Sequence, residues 1–119
     1  MRQISEYKET SVTTQSKGRL VVMLYDGAVK FMKLAINELQ AGDMEAKGRY
    51  INKAIDIIEE LNAVLDTEAG GEIAANLRKL YLFMINHLTE ANIKRDAQMI
   101  REVISLMEEL NQGWKAVTS

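Results

Sequence analysis

The residues of this chain best able to do chemistry are a single histidine, His87, and two acidic pairs, Glu59-Glu60 and Glu108-Glu109. An unperturbed imidazole titrates near neutral pH, so His87 is the natural candidate for general acid–base work. A di-iron bundle would need two Glu-x-x-His pairs facing inward, and here Met84 stands three residues before His87. A lone histidine in a helical stretch reads as a surface or capping residue. The acidic pairs lie among ordinary lysines and arginines and read as solvated helix faces with i,i+4 pairing. Carboxylate-pair hydrolysis would also need a cleft between them, and no pattern indicates one. The chain has no cysteine, which excludes a disulfide scaffold, a thiol nucleophile and thiolate-bound zinc or iron–sulfur centres. It has no GxxxxGK[ST] or GxGxxG run to cradle phosphate. The expectation is therefore no catalytic residue, no cofactor and no metal, and a protein that is not an enzyme.

The elements that carry these residues form one domain, since 119 residues suffice for one and not for two. With 47% hydrophobic and 27% charged residues, the composition is that of a globular domain. A formal charge of −2 argues against general nucleic-acid binding. Residues 1–19 carry four basic and two acidic groups, a mild local excess of positive charge. The longest apolar runs, Leu20–Tyr25 and Leu80–Ile85, are six residues each, too short for membrane insertion or a secretory leader. A cytoplasmic location is expected.

Residues 8–19 contain five Ser/Thr and one apolar residue, Val12, so residues 1–16 are expected to form a flexible arm. Residues 17–119 should then fold as the bundle domain. Ser16 is placed to cap a first helix from about Lys17 to Gln40, and Gly42 to end it. Asp43 opens a second helix, in which apolar residues at 51, 54, 58, 61 and 65 mark one side. The stretch Asp66–Gly71 reads as a turn, and the third helix runs from about Glu72 to Lys94. Asp96 caps a fourth helix, whose stripe runs Ile100, Val103, Met107, Leu110, Trp114 and Val117. No proline interrupts these segments. The fold class is all-α, an antiparallel up-down four-helix bundle with a polar N-terminal arm.

The first helix carries more apolar surface than such a bundle consumes. From Leu20 to Leu39, 14 of 20 residues are apolar, and Asp26, Lys30, Lys33 and Asn37 gather on one narrow polar stripe. Either this helix is central and wrapped by the other three, or it keeps a second apolar face for a partner or for the arm. Val22, Leu24, Tyr25 and Val29 are candidates for that face. Gly27 has a cost inside a helix and implies close approach of another backbone. Leu82 and Phe83 in the third helix lie off the Leu77/Leu80/Met84/Leu88 stripe, where a bundle surface should be polar. Ile4 and Tyr7, three apart in the arm, form a candidate plug for a bare groove. Uncovered apolar surface of this kind also favours weak self-association of the free protein.

The run Leu20-Val-Val-Met-Leu-Tyr-Asp-Gly-Ala28 resembles the signature of the flagellin-specific export chaperones, the FliS family. Tyr7 before a Ser/Thr stretch, Gly70-Gly71, Leu80-Tyr81 with Met84, Glu90-Ala91-Asn92 followed by Asp96, and Trp114 extend the likeness along the chain. Where the family often has a proline before the first helix, this chain has Gln15-Ser16-Lys17, and serine can cap the helix there instead. The resemblance implies a cytosolic, non-enzymatic chaperone that holds the C-terminal helical region of flagellin in an apolar groove. It further implies that the client is kept from premature polymerisation and delivered to a component of the flagellar export gate. The residues alone leave two other readings open: a generic helical adaptor or regulator for amphipathic helices, and a bundle enclosing a small apolar ligand.

Overall fold

A two-residue joint, Gly42-Asp43, sets the first corner of the fold. Gly42 takes φ +85°, a left-handed conformation that costs glycine little. The Gly42 amide then donates to the Leu39 carbonyl (3.2 Å) and the Asp43 amide to Glu38 (2.9 Å), closing a Schellman turn. The Asp43 carboxylate accepts from the Ala46 amide at 3.0 Å and caps the following helix. One dipeptide thus stops one helix and starts the next.

The computed structural model describes the backbone of residues 2–65 and 67–118, and the side chains of residues 17–65 and 70–118. Four helices follow one another: α1 (Arg2–Ala41), α2 (Met44–Ala63), α3 (Thr67–Lys94) and α4 (Ala97–Thr118). The α3 backbone breaks its helical path at Gly71 (φ 54°, ψ −124°), so its regular part starts where the glycine pair ends. At the last corner Asp96 caps α4, accepting from the amides of Gln98 (2.9 Å) and Met99 (3.2 Å).

One expectation differs. The backbone of residues 2–16 continues α1, where the sequence predicts a loop or mobile arm. No proline, and no glycine before Gly18, interrupts the i→i−4 ladder there, so backbone bonding alone can carry the helix backwards. The side chains of this stretch, Ile4 and Tyr7 among them, lie outside the described residues.

The helices run alternately up and down in a ring: α1 packs on α2 and α4, α2 on α3, and α3 on α4. The core draws on all four, with Tyr25 and Met32, Ile51 and Ile58, Met84 and Leu88, and Ile100 and Met107 fully buried. Helix α1 is therefore a corner of the ring and not its wrapped axis. Much of its apolar excess faces α2: Gly27 lets Ile57 approach to 3.3 Å of where a Cβ would sit, and Phe31 stacks on Tyr50 at 6.1 Å.

Candidate functional site

The two ends of the bundle are finished differently. At one end Lys47, only 4% exposed, donates from Nζ to the Asn92 carbonyl at 2.9 Å and ties α2 to the C-terminal turns of α3. Burial, and secondarily the Arg95 charge, pull its pKa below the usual lysine value. Among the described residues the other end has no such closure. There Ile73 falls on the same face of α3 as the buried Leu77 and Met84, four and eleven residues on, yet is 72% exposed. Val117, last on the α4 stripe, is 76% exposed, and Leu20 and Val64 are exposed as well. Among the described residues, the α3 and α4 core stripes run out at this end with no side chain laid over Ile73 or Val117.

A cavity of about 330 Å³ opens there, walled by Leu61, Leu65, Leu77, Ile73, Tyr81 and Trp114, with Val21 and Val64 at its side. A second recess of about 340 Å³, formed by Lys17, Leu20, Val21 and Val64, shares two of those walls. The backbone at Gly70 has no room for a side chain, since a Cβ would stand 2.5 Å from that of Ala74.

Three aromatic residues stiffen the layer at the cavity. The Tyr25 and Tyr81 hydroxyls lie 2.6 Å apart with their rings edge-on, and Trp114 packs against Tyr25 at 6.3 Å. Burial raises the pKa of Tyr25, an effect partly offset by the Tyr81 hydroxyl and the Trp114 indole. Tyr81 is pushed up further, by burial and then by its bond to Tyr25, so both stay neutral phenols.

The residues singled out in the sequence divide on this frame. Leu82 and Phe83 are exposed, at 51% and 49%, on the outside of α3. Phe83 stacks on His87 at 4.9 Å, and the His87 Nε2 meets the Glu102 carboxylate at 3.1 Å across the α3–α4 seam. Val22 is half-buried, and Leu24 is half-buried against the core. Tyr25 and Val29, expected on an outward face, are core instead, at 0% and 9% exposure. The physical reason is register: Tyr25, Ala28, Val29 and Met32 share the face of α1 turned to the bundle interior. Gly27 serves the α1–α2 approach. The sequence reading missed Leu20, Met23, Val64 and Ile73 as exposed apolar groups. Ile73 carried the usable signal, a core-stripe residue placed directly after a chain break.

Among the described residues no group of three His, Cys, Asp or Glu side chains could hold a metal ion. No described helix is long and apolar enough to cross a membrane.

Comparison with known proteins fits this picture. A family model described as flagellar protein FliS matches residues 1–119. The flagellar secretion chaperone FliS of Salmonella typhimurium is 44% identical over 111 residues, covering 92% of this chain and 82% of that protein. Its namesake in Vibrio cholerae is 38% identical over 118 residues (96% and 87% covered). That of Bacillus subtilis is 38% identical over 109 residues (92% and 80% covered).

Proposed function

The chain belongs to the FliS family of flagellar secretion chaperones, and on that premise we propose that its client is the C-terminal helical region of flagellin. The protein holds that region against its open apolar end, blocks premature polymerisation and passes the client to a component of the export gate. It does so in the cytoplasm, without catalysis and without a cofactor. The observation that supports this reading best is the uncovered core stripe at Ile73, 72% exposed beside a cavity of about 330 Å³. An amphipathic helix laid there would finish the core as a fifth element, the helix-in-groove mode of recognition. A client so held has its own assembly surface covered, which stops the head-to-tail contact that grows filaments.

Residues 1–15 enter this proposal as a removable cover for the same apolar surface, a role that requires the α1 backbone to bend or unwind before Lys17. Leu82 and Phe83 offer a second apolar contact on the far side of α3.

Titration calorimetry with full-length and C-terminally truncated flagellin tests the assignment. A one-to-one complex with the full-length protein is expected, with a negative heat-capacity change from apolar burial. Equal binding of the truncated form would remove the C-terminal region from the proposal. Equal binding of a panel of unrelated amphipathic helices would favour a generic adaptor.

A further inference from the structure

The two recesses at the open end adjoin, because Val21 and Val64 line both. Their linings carry one charged side chain, Lys17, which lines the second recess and not the first. Among the described residues no carboxylate pairs with Lys17. The local sequence has the same sign, with four basic and two acidic residues over 1–19. The seat therefore has a direction: deeply apolar beside Leu77 and Trp114, and positive at Lys17.

A bound helix has a direction too. Its C-terminal end carries about half a negative charge from unpaired carbonyls, and its N-terminal end the opposite. We propose that the client helix lies across both recesses with its apolar face inward and its C-terminal, negative end against Lys17. This rests on the reading of the open end as a client seat, and adds the client's polarity on it. The reversed helix would place a positive pole beside the Lys17 ammonium. A small apolar molecule fits less well, since the apolar surface continues past the cavity onto Leu20 (43% exposed) and Ile73 (72% exposed).

The experiment uses the full chain and three synthetic peptides in calorimetry. These are the C-terminal helical segment of flagellin, the same segment with two lysines in its last turn, and the same with two lysines in its first turn. Last-turn lysines should weaken binding to the parent roughly three- to tenfold, and first-turn lysines should leave it unchanged. Lys17→Glu should reverse the effect, binding the last-turn lysine peptide more tightly than the unmodified one. First-turn sensitivity, or a Lys17→Glu protein with the parent's preferences, would overturn the orientation. Val64→Asp changes an exposed residue in the turn after α2, so helicity should survive while affinity falls at least tenfold; parent-like affinity would remove the recesses as the seat. A parent that binds neither full-length flagellin nor any peptide would instead refute the client assignment itself.

Discussion

The hydroxyl oxygens of Tyr25 on α1 and Tyr81 on α3 lie 2.6 Å apart, joining two helices that otherwise face each other across the ring. Both residues are essentially unexposed, at 0% and 1%. Each large ring fills core volume, and each hydroxyl gives the other the partner that a buried polar atom requires.

Tyr25→Ala should cost about 3–5 kcal/mol of folding stability, the usual range for truncating a large buried aromatic. Tyr25→Phe keeps the packing but leaves the Tyr81 hydroxyl unpartnered, at about 1–3 kcal/mol. Denaturant unfolding of both variants checks this. A folded Tyr25→Phe protein that retains parent-like flagellin affinity would agree with a core role, and a loss of affinity at unchanged stability would not.

Stability should fall as pH rises past about 10, the ordinary tyrosine value, because Tyr25 and Tyr81 both titrate higher when folded. The unfolded chain ionises first and then binds fewer protons than the native one, so the native state loses ground with rising pH. Lys47, with a lowered pKa, works in the opposite sense. Melting temperatures of parent and Tyr25→Phe across this range separate the two, and the parent should show the steeper decline. Tyrosinate absorbance of the folded parent should show Tyr25 and Tyr81 still un-ionised above pH about 10, the ordinary tyrosine value.

Asp26→Ala should destabilise the α1–α4 seam by about 1–3 kcal/mol. The Asp26 Oδ1 accepts from the Asn111 Nδ2 at 2.8 Å, and Asn111 is only 5% exposed with its Oδ1 already unpartnered. Removing the carboxylate orphans the amide at both atoms. The nearby Lys115 ammonium, 3.4 Å from the same oxygen, is more than half exposed and should contribute little. Lys115→Ala therefore serves as the mild comparison in the same unfolding assay.

Gly27→Ala should raise stability by a few tenths to about 1 kcal/mol through helix propensity. The added Cβ would meet only the Cδ1 end of Ile57, at 3.3 Å, and Ile57 is half-buried and free to turn. Thermal unfolding measures the gain, and calorimetry with flagellin measures whether any client contact at Gly27 is lost. A drop in stability would show that the α1–α2 approach tolerates no extra methyl.

Much of the fold was legible because its corners are chemical. Gly42-Asp43 and Asp96 carry caps that local sequence specifies, and each joint sits where those residues predict. Gly71 likewise marks the break before the regular part of α3. The start of α1 was less legible, because a polar stretch without proline can be helical by backbone bonding alone.

Sequence by itself determined the number of helices, their order and the inward faces of α2, α3 and α4, since a 3.6-residue period and capping residues act locally. It also disclosed that α1 holds an apolar surplus. Only the tertiary structure decided how that surplus divides. Tyr25 and Val29 went to the core because their face is turned to the bundle interior, while Leu20, Val64 and Ile73 stayed exposed because no other described side chain closes over them. Exposure is a property of neighbours from distant parts of the chain, and no local pattern contains it.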